Sequence, residues 1–301
     1  MNSERTVLVG YDGSESSRVA LRWALDDARR RHLPVVILHA DTPDVVLNSV
    51  GMGFYQPVTD PPGPEGTSTL AEATALAAKW APGVTVRQRL TASSPSVAVL
   101  DAMNDAALVV LGSRGMDGFA ELLVGSTSLH VATHATVPVV VVRARDKVPT
   151  GPEAGRVVIG VDGSDAAQDA LAFGFEEAAL RGVGVTAVRA WYSDFFDSSG
   201  PKSGAIPLSV ETEVVVPAET AALTEAVAGW RNKYPDIDVR ELVVHGIAAP
   251  VLVDAARGAE LLVVGSRGRG GFRSLLLGSV SHAVMHHATA PVAVVRPFST
   301  V

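Results

Sequence analysis

Short apolar runs alternate with longer stretches whose apolar residues recur every three or four positions. The runs in the first half of the chain are Thr6–Gly10, Pro34–Ala40, Val84–Leu90, Leu108–Gly112 and Pro138–Arg143. Those in the second half are Arg156–Gly160, Val183–Ala190, Val239–Val244, Leu261–Gly265 and Pro291–Arg296. Most are continuous Val, Ile and Leu of strand length, which suits parallel strands buried on both faces. Between them lie helical patterns. In Ser16–Arg31, residues Ala20, Leu21, Ala24, Leu25 and Ala28 share one face; in Ala166–Arg181, residues Ala167, Ala170, Leu171, Phe175 and Ala178 do the same. Pro95 and Pro250 fall where each third helix should begin, a position that tolerates proline. Strand–helix alternation predicts right-handed βαβ units and a doubly wound α/β sandwich in each half.

The two halves repeat one another. Val7-Leu8-Val9-Gly10-Tyr11-Asp12-Gly13-Ser14 returns as Val157-Val158-Ile159-Gly160-Val161-Asp162-Gly163-Ser164. Ala107–Arg143 aligns without gaps on Glu260–Arg296, with about 22 of 37 positions identical. A period of about 150 residues is a whole domain, far longer than a solenoid repeat. Ala144–Gly155, holding Pro149, Gly151 and Pro152, reads as the connection, so the expected domains are 1–145 and 156–301 with a linker at 146–155. Asp41–Gly66, rich in Pro and Gly, and its counterpart Tyr192–Pro207 read as long surface loops.

In doubly wound sheets ligands bind beyond the carboxyl ends of the strands. Both repeated motifs fall there, after strands one and four. The fourth strand of the first half runs into Gly112-Ser113-Arg114-Gly115, then nine residues, then Gly125-Ser126-Thr127-Ser128. The second half has Gly265-Ser266-Arg267-Gly268, nine residues, then Gly278-Ser279-Val280-Ser281. Glycine permits positive φ and close approach to backbone. A Gly-Ser helix start leaves amide N–H groups unpaired, and with the helix dipole these form a ready anion site whose natural occupant is phosphate. A plainer reading is that the glycines make tight turns and that Ser126 and Ser279 cap helices. Asp12 and Asp162 likewise read either as turn residues or as ligand contacts, a Mg²⁺ bridge to phosphate among them.

These residues carry a resemblance. The pattern G-x2-G-x9-G-[S/T] after the fourth strand, with Asp-Gly-Ser after the first, resembles the ATP-binding branch of the universal stress protein family. The tandem arrangement is similar to the two-domain members common in actinobacteria. The resemblance implies a five-stranded parallel sheet of order 3-2-1-4-5 in each half, of the adenine nucleotide alpha hydrolase-like kind. It also implies one ATP site per domain, with Mg²⁺. Carried over position by position, it assigns Asp12 and Gly13, with Asp162 and Gly163, to the turn after strand one. Ala40 and Ala190 match positions whose backbone meets the base. Gly112, Arg114 and Gly115, with Gly265, Arg267 and Gly268, match the first phosphate-side turn. Gly125, Ser126, Thr127 and Ser128, with Gly278, Ser279, Val280 and Ser281, match the phosphate cradle. Met116-Asp117 in one loop stands against Arg269-Gly270 in the other, so the second half is expected to hold phosphate more tightly. By the same resemblance single-domain relatives dimerise through the last strand. A tandem chain can meet that contact by pairing its own domains, and a homodimer stays open.

Composition trims the alternatives. The 301 residues carry a net charge of −7, which disfavours nucleic acid as the main partner. The absence of cysteine removes disulfides, zinc-thiolate sites and cysteine nucleophiles, and fits a cytoplasmic setting. No run approaches the ~18 apolar residues of a membrane span, and the start shows no signal-peptide pattern. No Walker A motif occurs, and no G-x-G-x-x-G follows strand one. His130 and His134, and His282 and His286, sit four apart without an evident third ligand, so packing is the favoured role over metal. His39 lies at a strand end near the expected base pocket. Nothing resembles a catalytic triad, so at most slow ATP hydrolysis is expected. The expected role is a nucleotide-dependent regulatory module in stress adaptation with an unidentified protein partner; a slow ATPase or nucleotide-using enzyme and an interaction scaffold with vestigial loops are the alternatives.

Overall fold

The computed structural model describes residues 5–41, 64–114, 124–143, 151–192, 196–197, 200–201, 208–269 and 276–296. Side chains are described for these residues except 196–197, 200–201 and 208–214. The chain divides into two compact units, Met1–Ala144 and Arg145–Val301.

The first unit runs β1 (Thr6–Gly10), α1 (Glu15–Arg31), β2 (Val35–Asp41), α2 (Pro64–Trp80), β3 (Val86–Ala92), α3 (Pro95–Ala102), β4 (Ala106–Gly112), α4 (Ser126–His134) and β5 (Val139–Val142). All five strands pair in parallel, in the order β3-β2-β1-β4-β5. The second unit runs β6 (Val157–Gly160), α5 (Asp165–Arg181), β7 (Val185–Trp191), a short antiparallel pair β8 (Phe196–Asp197) and β9 (Gly200–Pro201), α6 (Leu208–Lys233), β10 (Val239–His245), α7 (Ala248–Ala255), β11 (Leu261–Gly265), α8 (Ser279–His287) and β12 (Val292–Val295). Its main strands pair in the order β10-β7-β6-β11-β12, also parallel. Each unit is a doubly wound α/β fold.

The strand sequences follow from burial. β1, β4 and β5 keep nearly every side chain from water, as do β6, β11 and β12, so they are continuous apolar runs. β3 and β10 lie at one edge of their sheets and carry Arg87, Gln88 and Arg89, or Arg240 and Glu241. Charge on an edge strand opposes pairing with another chain. Several strands end one or two residues beyond their sequence-based limits: β3 reaches Ala92 and β10 reaches His245. Parallel pairing with β2 and β7 carries these polar ends along the ladder regardless of their own propensity. Most of the segment 41–66, and of 192–207, lies outside the described residues, although α2 already begins at Pro64.

The first helix of each unit packs its alanine–leucine face on the central strands. Ala20, Leu21, Ala24, Leu25 and Ala28 are buried, as are Ala167, Ala170, Leu171, Phe175 and Ala178. Removing a Leu or Phe side chain from water is worth ~1.5–3 kcal/mol, so this face is what holds the helix to the sheet. Ser14 and Ser164 cap these helices, accepting hydrogen bonds from Ser17 N at 3.1 Å and Ala167 N at 3.3 Å. Each helix ends on a left-handed residue, Gly182 in α5 and His32 in α1.

Candidate functional site

At the carboxyl end of β1 the chain turns through Asp12-Gly13-Ser14. Gly13 has φ +83°, and Gly163 at the matching turn has φ +81°, which glycine adopts without a Cβ penalty. Asp12 Oδ1 accepts the N–H of Ser14 at 3.0 Å, and Asp162 Oδ1 accepts that of Ser164 at 2.9 Å. Both acids therefore hold the turn that feeds the capped helix. Asp162 does more. Its Oδ1 also accepts the Ser164 hydroxyl at 2.6 Å, and its Oδ2 accepts the backbone N–H of Arg269 at 2.9 Å.

The turn after β4 and β11 is built around one serine in each unit. Ser113 N donates to Val142 O at 2.8 Å, joining the end of β5, while Gly125 N donates to Ser113 O at 2.6 Å, joining the start of α4. In the second unit Ser266 N donates to Val295 O at 2.6 Å, and Gly278 N donates to Ser266 O at 2.8 Å. Each serine thus fixes a strand end and a helix start with its own amide and carbonyl.

α4 and α8 begin differently from α1 and α5. Their N-caps are Gly125 and Gly278, in extended conformation, with no side-chain cap hydrogen bond. Ser126 and Ser279 occupy the first helical position, so they do not cap. The N–H groups of Ser126, Thr127 and Ser128, and of Ser279, Val280 and Ser281, have no acceptor within their helices. Ser128 Oγ donates to Gly112 O at 2.7 Å and Ser281 Oγ to Gly265 O at 2.6 Å, tying each helix back to its strand. The result is a positive helix end, free of side-chain caps, at the carboxyl edge of the sheet.

The glycines divide by role. A Cβ on Gly112 would lie 2.7–2.9 Å from Ser16, and one on Gly265 would lie 2.8–2.9 Å from the backbone and Cβ of Ala166. These two permit close packing of α1 on β4 and of α5 on β11. A Cβ on Gly268 would lie 2.5 Å from Asp162 Oδ2, so this glycine is needed where the two loops meet. Gly115 lies outside the described residues.

Ala40 and Ala190 sit at the ends of β2 and β7, in register with Thr91 and Val244. They flank strand one on the side away from the glycine turn. His39, beside Ala40, has both ring nitrogens engaged, Nδ1 with Tyr11 O at 2.7 Å and Nε2 with Asp41 Oδ1 at 3.0 Å. Its counterpart in the register of the second unit is Arg189, buried and paired with Glu219. The histidines four apart lie ring against ring: His130 and His134 are stacked with centroids 4.3 Å apart, and His282 and His286 are tilted at 4.5 Å.

Several residues near the site were not singled out from the sequence. Arg143 follows β5 and Arg296 follows β12, one row beyond the pairs Gly112–Val142 and Gly265–Val295. Burial, and then the neighbouring charge of Arg114, lowers the pKa of Arg143; burial, and then Arg267, does the same for Arg296. Both arginines stand at equivalent places in the gapless repeat, the signal that could have found them. Ser16 is another. Its Oγ accepts Arg114 N at 3.3 Å and lies 3.4 Å from Ser113 Oγ. The second unit has Ala166 in that place, and Ser266 Oγ, fully buried, has no hydrogen-bond partner among the described residues.

Fold and site together define a tandem doubly wound α/β protein with a helix start that lacks a side-chain cap at the carboxyl edge of the sheet in each unit. The chain matches the Universal stress protein family over residues 4–143 and again over 153–296. It is 37% identical over 305 residues to Universal stress protein Rv2005c of Mycobacterium tuberculosis, covering 96% of each chain. It is 35% identical over 298 residues to a universal stress protein of Mycolicibacterium smegmatis, covering 98% of each. The crystal structure of a universal stress protein from Archaeoglobus fulgidus superposes with a TM-score of 0.63 over 98% of this chain and 97% of that one, at 19% identity, a likeness of fold. The chain belongs to the universal stress protein family.

Proposed function

We propose that each unit binds one ATP, with Mg²⁺, and that the protein is a cytoplasmic, nucleotide-dependent regulatory module in stress adaptation. Residues 1–145 and 156–301 are taken as the two binding domains. The observation that supports the reading is the contrast between helix starts: Ser14 and Ser164 close α1 and α5, whereas Gly125 and Gly278 leave α4 and α8 without a side-chain cap. A phosphate is the ligand whose charge and oxygens suit such an end. Arg114 and Arg267 stand beside it, and Ala40 and Ala190 mark the strand ends where the base would rest. Asp12 and Asp162 hold the turns, and a carboxylate at this place suits a Mg²⁺ shared with phosphate. Regulation further requires a state or partner that distinguishes loaded from empty protein.

The test is direct. Protein purified without added nucleotide is denatured, the released small molecule is identified, and its ratio to chain is measured. About two ATP per chain is the expected result. Protein that releases nothing and also fails to bind Mg-ATP in titration would overturn the reading in favour of an interaction scaffold. Release of mostly ADP would favour slow hydrolysis.

A further inference from the structure

Two guanidinium groups meet over the turn that follows β6. Arg189 stands on β7 and Arg269 lies in the glycine turn after β11, the two strands that flank β6. A Cβ on Gly163 would lie 2.8 Å from Arg269 Nη2 and 3.4 Å from Arg189 Nη1. The side chains themselves therefore reach this point, one from each side. Asp162 Oδ2 fixes the base of one of them by accepting the backbone N–H of Arg269 at 2.9 Å. The crevice beyond these strand ends, where the strand order reverses between β6 and β11, is where a doubly wound sheet takes its ligand.

The charges at this point are only partly matched. Glu219 accepts the Nε of Arg189, whose side chain is 5% exposed, and Nη1 is left toward the turn. The carboxylate of Asp162 is taken up by uncharged donors, Oδ1 by Ser164 N at 2.9 Å and Ser164 Oγ at 2.6 Å, and Oδ2 by the Arg269 amide. Among the described residues no carboxylate forms an ion pair with Arg269. The first unit differs. His39 takes the register place of Arg189, and Tyr11 O and Asp41 Oδ1 hold its two ring nitrogens. A Cβ on Gly13 would meet only Thr69 Cγ2, at 3.9 Å, among the described residues. The gapless repeat puts Met116 where the second half has Arg269.

A phosphate chain needs cations around it, because its own charges repel. Mg²⁺ is one source. Arginine is another, since the planar guanidinium stays charged and binds phosphate oxygens two at a time. Two guanidinium groups brought to one point also repel each other, and an anion between them removes that cost.

We propose that Arg189 and Arg269 clamp the phosphate chain of the nucleotide in the second unit, so that Mg²⁺ is dispensable there, whereas the first unit, which lacks the clamp, needs the metal. This rests on the nucleotide-binding reading and makes its two sites unequal.

The experiment is calorimetric titration of the full-length chain, freed of nucleotide, with ATP in the presence of Mg²⁺ and again in EDTA. It is run on wild type, on Arg269→Met, which copies the first unit, on Arg269→Lys, and on Arg189→Gln/Glu219→Gln, which removes a charge pair together. Wild type is expected to bind about two ATP per chain with Mg²⁺ and about one in EDTA. Arg269→Met and the double variant should lose the EDTA-resistant site, with affinity falling at least tenfold, and regain it when Mg²⁺ is added. Lysine at 269 should keep part of it. Two sites in EDTA, or two with Mg²⁺ and none in EDTA, would overturn the clamp and leave the nucleotide reading standing. So would an EDTA-resistant site that survives in Arg269→Met. An equal loss with and without Mg²⁺ in Arg269→Met would mark a merely structural role and overturn it too. No ATP bound in either condition would sink the nucleotide reading and the clamp with it.

Discussion

The carboxylate of Asp162 accepts the backbone N–H of Arg269 at 2.9 Å, across 107 residues of chain. This bond joins the turn after the first strand of the second unit to the glycine turn after its fourth. Arg269 Nη2 lies where it would touch a Cβ on Gly163 at 2.8 Å, and Gly268 has no room for a Cβ against Asp162. The two loops that frame the candidate site are thus one structure, held by an acid whose other oxygen serves its own turn.

Replacing Asp162 by Asn keeps the shape and removes the charge that accepts these bonds. A hydrogen bond to a charged group contributes ~1.5–3 kcal/mol, less where solvent reaches it. Asp162→Asn is expected to lower the stability of the second unit by about 1–2 kcal/mol. Thermal unfolding followed by circular dichroism would show this as a drop of roughly 2–8 °C. An unchanged Tm would mean that the link between the loops carries no strength.

The serines at helix starts should separate cleanly. Ser14→Ala removes a cap bonded to Ser17 N and is expected to cost about 1 kcal/mol. Ser126→Ala removes a hydroxyl that caps nothing and should leave stability within ~0.5 kcal/mol of wild type. Denaturant titration of both variants checks the pair. A large loss in Ser126→Ala would show that its hydroxyl closes α4 after all.

Gly265→Ala places a methyl carbon 2.8–2.9 Å from Ala166 O, C and Cβ. Backbone atoms cannot swing aside as a side chain can, so the helix must move off the strand. Overpacking of this kind costs ~1–3 kcal/mol, and the expected loss is at the upper end. Gly155→Ala, with open space around its Cβ but φ +71°, is the comparison that isolates conformational strain from crowding. Equal losses in urea titration would argue that the close packing of α5 on β11 is not what selects Gly265.

The first unit supplies a hydroxyl at Ser16 beside Ser113, and the second leaves Ser266 Oγ buried without a partner among the described residues. Ala166→Ser should give that oxygen a partner and raise stability by about 1 kcal/mol. A rise in urea midpoint without a change in slope is the expected observation. No rise, or a fall, would mean that α5 lies too close to accept the extra atom.

Asp238 is held below the usual carboxylate range first by its hydrogen bond to Arg156 and then by the positive charge of that residue. A depressed folded-state pKa stabilises the protein above the unfolded value, near pH 4, and that stabilisation is lost as the pH falls through the folded value. Asp238→Asn is therefore expected to flatten the acid limb of the stability curve below pH 4. Identical acid profiles for variant and wild type would show that Arg156 does not prefer the charged form.

Much of this architecture was open to reading along the chain. The apolar runs that became β1, β4, β6 and β11 are recognisable because a strand buried on both faces needs apolar residues at every position. The repeat of Asp-Gly-Ser and of the glycine turns was equally plain, since a turn that needs positive φ or close packing keeps its glycine. Limits were less legible where polar ends such as Thr91-Ala92 and His245 join the ladder through a neighbour.

Tertiary structure alone decided what those residues do. Ser126 and Ser279 look like caps in sequence, yet the chain enters each helix one residue earlier, at a glycine held by the carbonyl of Ser113 or Ser266. Asp162 reads as a turn acid, and only the meeting of two loops gives its second oxygen to Arg269. Arg143 looks like the end of an apolar strand, and Arg114 lies 29 positions before it. Parallel pairing of β4 with β5 sets them side by side. Local periodicity and turn chemistry act over a few residues and can be read from them. Caps, loop-to-loop bonds and charge pairs depend on which strand lies next to which, and that order is settled by packing across the whole sheet.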